Sequence, residues 1–245
     1  MVLPHARALL GHASPDTDTT QTGQLLNEVG RYLKGQGDVG AAIAYHTRAA
    51  DSCLRLNGPD HSMTLASRHS LAHAHLAAGD PNRAISLLDA VVADEERVFG
   101  PDHPATLRSR GFLADACWKA GELSRALPLY ESNLARWERV LGPEHPGTLS
   151  SRGNLANAYL SVDDFGRALA LYEVTVADSE RVLGPDHPEV LTSKNNLAFA
   201  YQSVGDLGRA IRLYEAVVAD NGRALGPDHP TTRMIRSSLR TARSS

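Results

Sequence analysis

Gly142-Pro143-Glu144-His145-Pro146 decides the fold. Near-copies of this pentad begin at Gly58, Gly100, Gly184 and Gly226, each 42 residues after the last. A fixed period of that size marks a repeat array, in which one supersecondary unit is stacked on the next. The pentad also carries its own structural instruction. Its glycine closes a helix, and its first proline stops that helix from continuing. Its second proline opens the next helix at a place where a missing N–H costs nothing.

Between pentads, each unit holds two helical patterns. Leu149, Leu155, Ala156, Ala158 and Tyr159 recur at helical spacing and predict a first helix over roughly 146–161. A second helix is predicted over roughly 165–182. Its Ala168 is matched by Ala42, Ala84, Ala126 and Ala210, a small residue where two helices must approach closely. Leu171-Tyr172 recurs as Leu129-Tyr130 and Leu213-Tyr214. Arg181, with Arg55, Arg97, Arg139 and Arg223, opposes the negative end of the helix dipole, worth about 0.3–1 kcal/mol.

The turn inside each unit reads Gly37-Asp38, Gly79-Asp80, Gly121-Glu122 and Gly205-Asp206, with Asp163-Asp164 in the fourth unit. Glycine suits a left-handed closing residue and Asp a helix N-cap. Asp163 must take the left-handed conformation that Asp tolerates better than most side chains, and Glu122 is the poorer cap. Pro128 lies in the second turn of one second helix, where it should remove a backbone bond and bend the helix locally.

This phase predicts helix pairs near 23–57, 62–99, 104–141, 146–183 and 188–225, then an Arg-rich capping helix over 230–243 with one wet face. Before the array, a short helix over 3–12 and a linker to residue 22, rich in Ser, Asp, Thr and Pro, are expected. The 245 residues carry a net charge of −3, so no global basic field points to nucleic acid or an anionic membrane. Cys53 and Cys117 support no disulfide framework. His5 and Arg7 interrupt the N-terminal apolar run, so no signal-peptide core is read there. No run approaches the ~20 apolar residues of a membrane span. A cytoplasmic protein is the expectation.

At these residues the chain resembles the tetratricopeptide repeat family. The 42-residue unit, its G-P-D-H-P linker, and Asn154-Leu155-Ala156 and Asn196-Leu197-Ala198 eight residues after the linker's last proline resemble the kinesin-light-chain subtype. The resemblance covers about residues 23–243. It implies an all-α right-handed superhelix, an α-solenoid of five helix pairs and a capping helix. It implies a non-catalytic scaffold that binds a protein or peptide and needs no cofactor. Similar arrays serve as sensors in bacterial STAND-type signalling ATPases, and Leu3 to Leu10 looks like the segment leading into them. The motif GxxxxGK[ST] is absent, so such an ATPase would have to be a partner or a part of a longer chain.

Other motifs yield to the repeat. Gly35 to Gly40 spells GxGxxG but falls on the turn within the first repeat, without the strand a dinucleotide site needs. The five linker histidines, His61, His103, His145, His187 and His229, cannot share an ion, because neighbouring repeats stand at least about 8–10 Å apart. They should hydrogen-bond locally at helix starts. His69 and His73 share a helix face, with no carboxylate placed to complete a metal site. No nucleophile arrangement stands out.

The binding candidate is the row of first-helix positions found by counting from the pentad. By the resemblance, Asn154 and Asn196 match asparagines that bind a peptide backbone, a task suited to an amide's paired donor and acceptor. Ser70 and Phe112 stand at the same phase and interrupt the asparagine ladder. One turn on are His73, Asp115, Asn157 and Phe199, and nearer the rim are Arg108, Ser150 and Thr192. The packing rows Leu71, Leu113, Leu155, Leu197 and Ala74, Ala116, Ala158, Ala200 barely change, while these rows vary. Variation on one face fits a tailored groove and fits an unconstrained solvent face. The convex face, self-association and intramolecular docking are the alternatives.

Overall fold

A computed structural model describes residues 14–244. The helix expected over 3–12 lies outside them. The described residues form eleven α-helices: α1 (Thr20–Gly35), α2 (Val39–Asn57), α3 (Ser62–Ala77), α4 (Pro81–Phe99), α5 (Pro104–Lys119), α6 (Leu123–Leu141), α7 (Pro146–Ser161), α8 (Phe165–Leu183), α9 (Pro188–Ser203), α10 (Leu207–Ala224) and α11 (Pro230–Ser244). The chain divides into two compact units, one ending at Leu129 and the other beginning at Tyr130, just after Pro128 inside α6. Within each unit, consecutive helices pack on one another. In the first unit α3 also touches both α1 and α5, which lays the first helices in one layer.

The pentad acts through more atoms than its prolines. The Nδ1 atoms of His61, His103, His145, His187 and His229 accept the backbone N–H two residues on, at 3.0–3.3 Å. Each linker histidine is thus a local cap, as the spacing argument required. Thr64, Thr106, Thr148 and Thr232 donate their hydroxyls to the pentad glycine's carbonyl, at 2.7–3.0 Å. Val190 stands at that place in the fifth repeat. The glycine itself cannot be replaced freely: Gly58 has φ 81° and ψ 173°, a region open essentially to glycine alone.

The inner turns follow their sequence. Asp38, Asp80, Asp164 and Asp206 accept the N–H three residues on. Asp163, at φ 59°, is the one non-glycine with positive φ among the described residues. The fixed alanines Ala42, Ala84, Ala126, Ala168 and Ala210 are fully buried. The second-helix arginines do more than face a dipole. Arg97 forks onto Asp60 of its own repeat's pentad, and Arg181 and Arg223 reach Glu144 and Asp186 in the same way. These pairs are exposed, so water and salt screen them.

One expectation changes. The stretch before α1 was expected to be a linker, yet from Ser14 it belongs to the first unit. Pro15–Thr17 makes a 3-10 turn, and the carboxylate of Asp18 is buried against α2. Both its oxygens accept from Arg48, at 2.9 and 2.7 Å, and one also accepts from Ser52 at 2.6 Å. Arg48 holds this carboxyl below the usual range. Helix α1 accordingly starts at Thr20, capped by Thr19, ahead of the expected Gly23.

Candidate functional site

In the second unit, α7 and α9 stand side by side with a cleft of about 240 Å³ between them. Asn154 and Asn157 enter it from α7 and Asn196 from α9. Ser150, Thr192 and Ser193 add hydroxyls along its walls. Gly153 opens the α7 wall, Ser179 of α8 reaches in from the second-helix layer, and Glu189 is the only charged group of the lining. The half-buried amides of Asn154 and Asn196 have no side-chain partner among the described residues, which leaves both donor and acceptor for a ligand. Asn157 is partly committed, since its oxygen accepts from the buried Tyr172 hydroxyl. Burial raises the Tyr172 phenol well above its ordinary range, so it remains a donor. Phe199 on α9 is 53% exposed.

The corresponding space in the first unit lies between α3 and α5, where the same repeat positions carry other chemistry. Phe112 replaces asparagine. Its ring packs against His69 and His73, with centroids 4.8 and 4.9 Å away. The Lys34 ammonium of α1 lies 2.6 Å from His73 Nδ1. Burial pushes His69 down to about 4 and lowers His73 as well, with Lys34 adding to the shift, so both rings are neutral near pH 7. Where the second unit has Ser179, this one has Glu95, a carboxyl only 4% exposed and raised by burial. Ser70 turns its hydroxyl back to the Ala66 carbonyl at 2.9 Å. Arg108 is exposed and Asp115 half-buried.

The nine positions picked by counting therefore fall into two groups. Asn154, Asn157 and Asn196 share one cleft, with Phe199 exposed one turn beyond. Of the others, His73 and Phe112 are knit together with His69 by ring packing, while Ser70, Arg108 and Asp115 stand at neighbouring positions of the same first helices. Counting along the row missed Gly153, Ser179, Glu189 and Ser193. Gly153 and Ser193 lie one position beside the chosen rows and Glu189 one turn before Thr192, so a wider and longer stripe would have found them. Ser179 comes from a second helix and is visible only in the packing.

The comparisons agree with this architecture. Models of the tetratricopeptide repeat match residues 21–94, 83–132, 148–189 and 190–231. A solved kinesin light chain from Podosopora anserina, with nearly identical TPR-like repeats, is 31% identical. The match covers 85% of this chain and 98% of that one, with a TM-score of 0.72. The chain belongs to the tetratricopeptide repeat family, in its kinesin-light-chain-like form. Two solved structures at lower identity share the fold. BtubC (BKLC) from P. vanneervenii is 18% identical over 93% of this chain and 89% of its own, with a TM-score of 0.72. A STAND signal-transduction ATPase with a tetratricopeptide-repeat sensor, from Pyrococcus horikoshii, is 11% identical over 98% of this chain and 36% of its own, also with a TM-score of 0.72. A search of curated proteins returned no match. The all-α array expected from the period is the fold observed, and its family generally builds scaffolds for protein–protein interaction. Among the described residues, no helix is long and apolar enough to cross a membrane.

Proposed function

We propose that this chain is a non-catalytic scaffold that holds an extended segment of a partner protein in the α7–α9 cleft. One observation carries the reading: the unbonded amides of Asn154 and Asn196 converge with the Ser150, Thr192 and Ser193 hydroxyls on a single cleft. Amides of this kind hydrogen-bond a peptide backbone whatever its side chains. Covering the exposed Phe199 ring would add about 1.5–3 kcal/mol. The free, buried Cys53 and Cys117 suit a reducing, cytoplasmic setting.

The test is the double variant Asn154→Ala/Asn196→Ala used as bait in an extract of the native cell. Two lost hydrogen bonds of about 1 kcal/mol each should lower capture of the partner by about tenfold or more. The melting temperature should stay put, because neither amide is bonded within the protein. Undiminished capture would discard the cleft. A second reading follows from the shared fold with the STAND sensor: the partner is a signalling ATPase that the array restrains. Recovery of a P-loop ATPase in the same pull-down supports it, and a partner with no nucleotide-binding domain refutes it.

A further inference from the structure

The α7–α9 cleft has a counterpart one repeat further on. A slot of about 200 Å³ lies between α9, α10 and α11. Seven of its ten lining residues stand 42 positions after residues that line the cleft, so the two are one site built twice. Leu191 follows Leu149, Asn195 follows Gly153, and Asn221 follows Ser179. Thr192 lines both, so α9 is the wall they share. Equivalent positions of stacked repeats face the same side, and the two openings therefore lie next to one another on one face.

Their chemistry differs. The far wall of the cleft offers Glu189, Thr192 and Ser193, whereas the same positions on the far wall of the slot are Thr231, Met234 and Ile235. Pro188, Ala224 and Leu225 add apolar atoms with no counterpart in the cleft lining. Beyond Pro230, the exposed residues of α11 are arginine, serine and threonine apart from Met234, which is 59% exposed at this mouth. Leu225 is 45% exposed across from it. The slot is smaller than the ~300–1,000 Å³ of small-molecule pockets and suits one bulky side chain.

Resting on the reading of the α7–α9 cleft, we propose that the slot is the specificity pocket for the same partner segment. The segment crosses α9 at Thr192 and seats one large apolar side chain in the slot, beside Met234. Neighbouring helices stand about 8–10 Å apart. An extended chain advances about 3.3 Å per residue, so the apolar residue falls about three positions from the stretch that Asn154 and Asn196 hold. The two halves divide the work. Amides bind a backbone of any sequence, and the slot chooses which sequence stays.

The probe is a phage-displayed library of random twelve-residue peptides, selected on the wild-type protein and followed with the synthetic peptides by fluorescence anisotropy. Selected peptides should share one large apolar residue, and replacing it by serine should weaken binding at least about fivefold. Met234→Glu puts a charge at the mouth of the slot and, at an exposed position, should leave the melting temperature unchanged. It should weaken the parent peptide by a similar factor, and on this variant the serine replacement should cost nothing further. Losses that simply add, or a Met234→Glu protein that binds as the wild type does, place the apolar residue elsewhere and overturn the slot. Peptides that need Asn154 and Asn196 but tolerate serine also overturn it, and leave the cleft standing. Peptides that bind Asn154→Ala/Asn196→Ala at full strength overturn the cleft and the slot with it, as does a selection that enriches no sequence. A dimer seen by light scattering and dissolved by Met234→Glu would make a second copy the occupant, which overturns the proposal too.

Discussion

The α3–α5 and α7–α9 faces are two versions of one geometry. Their helices start at equivalent prolyl and seryl positions after the same pentad, and their core alanines are equally buried. A few side chains make the difference. In the first unit His69, His73 and Phe112 fill the space and Lys34 closes on His73. In the second unit Gly153, Asn154, Ser179 and Asn196 leave it open and polar. A repeat scaffold thus separates two jobs. The phase of the backbone is held by glycine, proline and small residues, while one row of side chains is packed in the first unit and lines an open cleft in the second. The first unit has spent that row on its own stability.

The largest effect that could break this contrast comes from Phe112→Ala. If the ring is packing rather than a ligand contact, its loss should destabilise the first unit by about 2 kcal/mol, below the 3–5 of a fully buried Phe. Hydrogen exchange should show faster opening in α3 and α5, with the second unit unchanged. Equal protection in wild type and variant would mean that the ring is free for a partner.

Acid should separate the units nearly as strongly. His46 is 1% exposed and its ring accepts no proton until about pH 4, because of burial first and then the Lys34 and Arg31 charges. His69 behaves alike. Their folded pKa values lie below the unfolded value of about 6.5, so the unfolded chain takes up protons first. Stability is complete above pH 6.5 and falls as pH drops toward 4, by about 2 kcal/mol at pH 5 for His46 alone. Glu95 opposes this, since burial raises its carboxyl and acid relieves the penalty. Glu95→Gln should therefore steepen the loss. The carboxylates held low by arginines, Asp94 and Asp178 among them, give way only below about pH 4. Protection factors, corrected for the pH dependence of intrinsic amide exchange, should fall between pH 7 and pH 5 in the first unit only.

Gly30→Ala sharpens the same contrast on a smaller scale. The later repeats carry alanine here, and in an exposed helix the change would stabilise by about 1 kcal/mol. In this protein the new methyl would meet the His46 ring at 2.7–2.8 Å. The ring is tied to Asn27 at 3.0 Å, and Asn27 to Ser67 at 2.7 Å, so it cannot step aside without loss. A net destabilisation of about 1–2 kcal/mol is expected by calorimetry. A higher melting temperature would show that the His46 chain is loose.

The smallest expected effect tests the feature both units share. Thr148→Val removes the hydroxyl that bonds the Gly142 carbonyl and should cost about 1 kcal/mol. Val190→Thr supplies the bond that the fifth repeat lacks and should stabilise by about 0.5 kcal/mol. Opposite signs in denaturant midpoints would establish the threonine as part of the linker's lock. Like signs would assign the effect to side-chain packing.

Much of this was legible before any coordinates. The 42-residue phase, the histidine caps, the Asp163 turn and the facing pair Asn154 and Asn196 all follow from residues a few positions apart or from simple counting. Local rules suffice there, because a cap or a turn is a contact between near neighbours whose geometry the backbone dictates. The sequence by itself therefore determined where helices start and which residues they bury against their partners, and counting along the rows picked out Asn154, Asn157 and Asn196 of the cleft lining. What only the tertiary structure decided are contacts between residues 15 to 43 apart. Asp18 anchors a stretch that reads as linker, Tyr172 takes up half of Asn157, and Phe112 settles between two histidines. Each depends on the rotation and depth at which one helix seats on another. That seating is set by the summed packing of many side chains, so no single stretch of sequence displays it.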